Sequence, residues 1–349
     1  MKNTVLKSLL LCLLLASCSS PGSGGSEPDE SEVRSNVNDT IRLALDWRPN
    51  VLHSGIFMAQ KRGWYGDSGL VVHWFTPEID DYTKKPLKRV LDGEADLSVG
   101  PSEHLFYYAL DSNAQPEAIA VATLLQRDMS AFVVPATEGI DRPAEMDGHV
   151  YLGYHTPLEE EILSRMIIND GGRGQFTSKH PARLSVWDGF MDGQGDIAWV
   201  FLHWEALKAE RAGTKLRAFI PNDYGVPYGC SSVIMAPAEA DGGRREKIQR
   251  FLGATAAGYQ EVVADPEAAV KELSSFIDHP NFSDRKFILL AQKEIAPAYL
   301  DSLVPWGYME ADKWERYLRW MEVNNLIADS LQMPPAKNFF TNELLPLQQ

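Results

Sequence analysis

Cysteine is scarce in this chain. Its 349 residues carry three, Cys12, Cys18 and Cys230. Two of these fall within the first 18 residues, so the remainder has one, and no internal disulfide can staple it. Metal-ligand patterns are missing as well. The eight histidines are scattered, and neither HExxH nor a paired-cysteine motif occurs, so no metal site is expected. The glycine-rich run Gly171-Gly172-Arg173-Gly174 lacks the lysine and serine of a phosphate loop and reads as a plain loop. Positive charge is in short supply. Lys and Arg total 33 against 48 Asp and Glu, a net charge of −15. So acidic a chain lacks the concentrated cations that phosphate backbones require, which argues against nucleic acid as a partner. No apolar run is long enough for a permanent membrane span. There is no repeat of solenoid period, and no local Ser-His-Asp arrangement is signalled.

The amino terminus carries a signal. Lys2 and Lys7 precede or flank the apolar run Leu9-Leu10-Leu11-Cys12-Leu13-Leu14-Leu15, and Leu15-Ala16-Ser17-Cys18 follows. This resembles the bacterial lipoprotein signal, in which the cysteine becomes the lipidated first residue of the mature protein. The resemblance implies that residues 1–18 are removed or modified, that Cys18 carries lipid, and that the protein is exported and tethered to a membrane. Each buried CH₂ of an acyl chain contributes ~0.8 kcal/mol, so several chains anchor stably. Residues 19–38, SSPGSGGSEPDESEVRSNVN, are polar and rich in Ser, Gly, Pro and Glu, the composition of a flexible tether.

The rest is long enough, at 44% hydrophobic residues, for two lobes with separate cores. Short apolar runs alternate with helical periodicity. Strands are expected at Ile41–Leu45, 70–75, 95–99, 118–125 and 131–134, and again at 150–153, 182–186, 196–200, 216–220 and 231–235. This β-α-β rhythm predicts an α/β fold with parallel, doubly wound sheets. Its expected form is two lobes joined by a hinge, lobe one from 39–134 and 222–349, lobe two from 135–221. Ser54 is expected to cap the first helix and Gly63 to end it. Thr156, Pro157 and Glu159 form a capping box at another helix start.

The first strand hands over to the first helix through a crowded polar elbow, Asp46, Trp47, Asn50 and His53. Ligands of open α/β sheets bind beyond the carboxyl ends of the strands. A carboxylate, an indole, an amide and an imidazole there suit a flat polar heterocycle; the same residues also serve to pack and to satisfy a turn.

The stretch DWRPNVLHSGIFMAQKRGWYGDSGL resembles the amino-terminal signature of the thiamine-pyrimidine precursor-binding family of ABC-transporter substrate-binding proteins, which also includes the fungal hydroxymethylpyrimidine phosphate synthases. Further similar segments are Ala95–His104, Tyr151–Pro157, Asp196–Glu205, Trp306–Met309 and Phe339–Pro346. The resemblance implies a two-lobed periplasmic-binding-protein-like fold with a ligand between the lobes, and a permease as partner. Candidate ligand contacts are Asp46, Trp47, Asn50, His53, Ser102, Glu103, His104, Tyr154, His155, Thr156, Trp204, Glu205 and Tyr228. Glu205 matches the family's ligand-facing acid, and a carboxyl group can meet the edge of an aminopyrimidine with two hydrogen bonds. In the fungal synthases a histidine donates nitrogen and a lysine four positions earlier holds pyridoxal phosphate. Here His104 falls on the histidine, but Gly100 takes the lysine position, and the cysteine cluster is reduced to Cys230. The expectation is therefore a monomeric transport protein without catalysis or cofactor. Riboflavin, another heterocycle or a sulfonate remain alternative ligands. Glu103 and the Glu159-Glu160-Glu161 run at the elbows favour a neutral or cationic ligand over an anion.

Overall fold

The computed structural model describes residues 39–112, 116–229, 232–327 and 333–346. The expected signal segment, the lipidated Cys18, the tether 19–38 and Cys230 lie outside these residues. Among the described residues, no helix is long and apolar enough to cross a membrane.

Strands β1 (Asp39–Ala44), β2 (Leu70–Phe75), β3 (Leu97–Gly100) and β4 (Ala118–Thr123) belong to one sheet. Strands β5 (Ser130–Pro135), β6 (Val150–Leu152), β7 (Thr177–Lys179), β8 (Ile197–Phe201) and β9 (Leu216–Phe219) make a second. The chain then returns with β10 (Val233–Pro237) to the first. The strand orders are β2-β1-β3-β10-β4 and β7-β6-β8-β5-β9, the same pattern twice.

The expected sheets were wholly parallel; both are mixed. β1 runs parallel to β2 and β3, and β6 to β7 and β8. β10 and β5 are antiparallel to both of their neighbours. These two are the first strands after each crossing between sheets. A strand arriving across the hinge starts at the end where the resident strands stop, so it must run the other way. Val233 accordingly pairs with Gly100, the last residue of β3, and Ser130 with Phe201, the last of β8. Leu124 N donates to Ser232 O at 2.8 Å and ties the two crossings together.

Three local expectations differ. Residues 131–134, placed with lobe one, pair with β8 and β9 of the second sheet. Residues 182–186 are a 3₁₀ turn, Arg183–Ser185, leading into helix Val186–Met191. The strand of that region is the short polar edge β7, Thr-Ser-Lys, which has no apolar alternation to betray it. The first helical segment starts with a 3₁₀ turn, Val51–His53, capped by Asn50, whose Oδ1 accepts from Leu52 N at 2.8 Å. Ser54 instead lies buried within the helical run, its hydroxyl donating to Gln292 Oε1 at 2.6 Å. Gly63 does end helix Ser54–Arg62, at φ 79°.

That helix is pressed against helix Gly242–Ala264. A Cβ on Gly258 would lie 2.0 Å from the Gly55 carbonyl oxygen, and one on Gly55 would lie 2.2 Å from the Tyr259 ring. The backbone approach lets Tyr259 donate to Leu52 O at 2.6 Å, while its ring stacks on Trp306 at 4.9 Å. Tyr299 of helix Arg285–Tyr299 donates to Val51 O. The turn that follows the polar elbow is thus fastened to two later helices. We expect Gly258→Ala to lower the unfolding free energy by about 3 kcal/mol, because backbone oxygen cannot yield as a flexible side chain does. Urea denaturation checks it, and an unchanged midpoint would show that the helices slide apart freely.

Candidate functional site

The carboxyl ends of both sheets face a shared cavity of about 190 Å³. Lobe one contributes Asp46, Trp47 and Asn50 from the elbow after β1, and Glu103 and His104 from the elbow after β3. Lobe two contributes Tyr154 and Thr156 after β6, and Trp204 and Glu205 after β8. Tyr228 enters from the second crossing. These ten expected residues are brought together.

Three others are not on its walls. His53 is fully buried behind Asp46, with Nε2 2.8 Å from Asp46 Oδ1. Asn50 N donates to His53 Nδ1 at 3.4 Å. A backbone N–H can only donate, so Nδ1 accepts and the ring proton sits on Nε2, aimed at the carboxylate. His53 therefore orients Asp46. Ser102 is buried between the wall residues Pro101 and Glu103 and donates to Glu103 Oε2 at 3.3 Å. His155 is exposed, because its positive φ of 66° turns the side chain outward, where Nε2 meets Pro181 O at 2.8 Å.

The sequence does not single out Tyr82, Lys85, Arg183, Trp199 or His203 as wall residues, and it reads Glu159 as a cap and an anion-repelling charge rather than as a ligand contact. Trp199 was findable from strand alternation, since it stands on β8 two positions before Phe201. Tyr82 was not, because it depends on a left-handed backbone at φ 60°, unusual for a tyrosine. Arg183 lay in the stretch misread as a strand.

Aromatic rings close the cavity from both lobes. Trp47 meets Tyr82 at 5.7 Å and, across the cleft, Tyr154 edge-on at 5.9 Å. Trp199 meets Tyr228 at 4.9 Å. Arg183 of lobe two donates through Nε to Tyr154 O at 2.7 Å and lies 5.3 Å over the Tyr82 ring of lobe one. Trp204, from lobe two, is buried in the lobe-one core against Phe287. Lys208 stands 4.8 Å over the Trp204 indole rather than forming an ion pair with Glu205.

Burial dominates the electrostatics. It pushes the Glu103 carboxyl up to about 7, against hydrogen bonds from Tyr228 and Ser102. Glu159 is likewise raised to about 7 by burial, although Thr156 N donates to its Oε1 at 2.9 Å. Burial also raises Glu205, whose Oε2 accepts from Phe201 N at 3.0 Å. His104 and His203 are driven down to about 3, chiefly by desolvation, and are neutral. Two of the elbow carboxyls expected to repel anions are thus partly protonated near neutrality, and two cations, Lys85 and Arg183, stand on the same walls. Among the described residues no group of His, Cys, Asp or Glu is arranged to hold a metal ion.

Two mixed sheets, two crossings and a cavity where the strands end define the two-lobed periplasmic-binding-protein fold. The alkanesulfonate-binding protein SsuA from Xanthomonas axonopodis pv. citri, solved with MOPS bound, has the same fold: TM-score 0.61 at 13% identity, covering 85% of this chain and 97% of that one. The fold also carries chemistry elsewhere, since the desulfurization enzyme DSZB matches with TM-score 0.55 at 13% identity, over 88% and 97% of the two chains. The family model NMT1/THI5 like matches residues 50–269, more than half of the chain, and this protein belongs to that family. A formylaminopyrimidine-binding protein of Halalkalibacterium halodurans is 24% identical over 98% of this chain and all of its own length.

Glu103 makes the electrostatics testable. Its folded pKa of about 7 exceeds the ordinary 4.5. Its contribution to stability is therefore full below about 4.5 and is lost as pH rises through about 7. The buried histidines act oppositely, losing stability as pH falls from 6.5 toward 3. The Glu103→Gln variant removes only the first effect. Relative to the parent, it should gain about 2 kcal/mol in unfolding free energy between pH 5 and pH 8. Urea melts at both pH values read this, and a difference independent of pH would mean that the carboxyl is ionised throughout.

Proposed function

We propose that this protein is the extracytoplasmic solute-binding component of an ABC importer, and that it holds a pyrimidine precursor of thiamine in the cleft between its lobes. The observation that carries the reading is the size and lining of the cavity. A void of about 150 Å³ accommodates one benzene; this one, at about 190 Å³, suits a single six-membered ring with small substituents. It is small for a flavin. Trp47, Tyr154 and Trp199 supply aromatic surface of the kind flat rings pack against. Glu205 is on the wall, held by Phe201 N at its Oε2, and its carboxyl group suits the edge where a ring nitrogen adjoins an exocyclic amine. The membership of the NMT1/THI5-like family and the full-length similarity to a formylaminopyrimidine-binding protein point the same way. On this reading lipid on Cys18 holds a monomer at the membrane, and a permease receives the closed, loaded form.

The synthase chemistry of some relatives does not suit these residues. The position matching their pyridoxal phosphate lysine is Gly100, where even a Cβ would meet Met235 Cε at 2.9 Å.

A thermal-shift panel of formylaminopyrimidine, hydroxymethylpyrimidine, thiamine, riboflavin and taurine tests the ligand. One of the two free pyrimidines should raise the Tm most, and Glu205→Ala should weaken its binding at least tenfold, the effect of about 1.4 kcal/mol. Stabilisation by taurine or riboflavin alone, or by none of the five, would overturn the assignment.

A further inference from the structure

One helical run of lobe two reaches into lobe one. It begins as a π turn, Leu202–Ala206, and continues as helix Leu207–Arg211. Leu202 N donates to Met129 O of the first crossing at 2.8 Å, so the run sets out from the hinge. Trp204, Lys208 and Arg211 are four and three residues apart and share one face. That face grips the start of helix Arg285–Tyr299 in lobe one. The buried Trp204 indole meets the Phe287 ring nearly edge-on, with centroids 4.9 Å apart. Lys208 Nζ lies 4.8 Å over that indole and 5.9 Å over Phe287, and the Arg211 guanidinium lies 5.5 Å over Phe287. Asp284 caps the lobe-one helix, its Oδ1 accepting from Phe287 N at 3.0 Å, while its Oδ2 pairs with Arg211 at 2.8 Å.

We propose that this run is a latch between the lobes. Trp204, Lys208 and Arg211 hold Phe287 and Asp284 when the lobes are closed and let go when they open, so the closed form is favoured even before a ligand enters.

The contacts lie where hinge motion breaks them. Strand β8 feeds the run from lobe two, whereas the indole packs within the lobe-one core. Parting the lobes about the crossings returns Trp204 and Phe287 to water, at the cost of their apolar burial. It also takes two cations off the Phe287 ring. Single π turns recur at functional sites, and this one gives adjacent side chains separate tasks. Trp204 stands between the ligand cavity and an outer notch, on the wall of both. Glu205, next to it, lines the cavity and is fixed by Phe201 N at 3.0 Å. A molecule that engages Glu205 therefore acts on the same turn that seats the indole, and adds to a closure already favoured. Lys208, Arg211, Asp284 and Phe287 line the notch but not the cavity. None of their contacts depends on which ligand the cavity takes.

Small-angle X-ray scattering of the full chain, stripped of small molecules by dialysis in urea and refolded, decides it without any ligand. The parent protein should scatter mainly as the closed form. Phe287→Ala should raise the ratio of open to closed molecules about tenfold, seen as a larger radius of gyration. Lys208→Gln/Arg211→Gln leaves the apolar core intact and should raise the ratio about fivefold. Circular dichroism confirms that each variant is folded, and the double variant carries the test if Phe287→Ala is not. A stripped parent protein that is fully open overturns the latch. So do folded variants that scatter as the parent does, since the run then stays with lobe one as the lobes part. Either result leaves the pyrimidine reading untouched.

Discussion

Two tyrosine hydroxyls hold the polar elbow of lobe one in place. Tyr259 donates to Leu52 O and Tyr299 to Val51 O, the carbonyls of the turn that follows Asp46 and Asn50. Those oxygens are buried, and leaving one unpaired costs about 1–3 kcal/mol. The donors come from helices more than 200 residues away in sequence, and they reach the turn because Gly55 and Gly258 let the backbones meet. Ser54 and Gln292 add a third link to the same helices. With the turn fixed, Asn50 can cap it and His53 can lie under Asp46. The orientation of one cavity carboxylate is therefore set by packing on the far side of the lobe.

Desolvation shapes what the cavity offers. Carboxyls raised to about 7 present an O–H as well as a carbonyl oxygen, so Glu103 and Glu159 can match either a donor or an acceptor on a ring edge, and burial raises Glu205 in the same direction. Lys85, Arg183 and the Asp46 carboxylate stand on the same walls. A wall of this kind differs from a dedicated anion site, where several fixed N–H groups converge. It differs equally from the fully ionised acidic cleft that the count of glutamates at the elbows suggests.

The architecture was legible because strand and helix periods survive in the sequence wherever an element has a buried face. Strands β1 to β4 and β8 to β10 all carry apolar runs, and Gly63 marks its helix end by the conformation only glycine adopts cheaply. The edge β7 was not legible, being three polar residues that pair only because β6 lies beside them. Strand direction after a crossing was hidden too, since β5 and β10 look like any other apolar strand and differ only in the end from which they enter. Within the site, the residues at strand ends could be read from position. Tyr82 and Arg183 depend on loop conformation, and His53, Ser102 and His155 on which way a side chain turns within two residues of a true wall position. Spacing alone does not encode that turn.

The closed arrangement is a balance between lobes. Trp204 leaves lobe two to bury its indole beside Phe287, Arg211 pairs with Asp284 at 2.8 Å, and Trp47 meets Tyr154. Full burial of a large side chain contributes on the order of 2–3 kcal/mol, so Trp204 alone draws the halves together. Against this stand two like charges brought to one cavity and several carboxyls stripped of water. A ligand needs to contribute only the difference, because it supplies hydrogen bonds where both lobes hold unspent groups. Groups from both lobes converge on the cavity, Asp46 and Lys85 from one and Arg183 and Glu205 from the other, so a molecule that engages both sets favours closure.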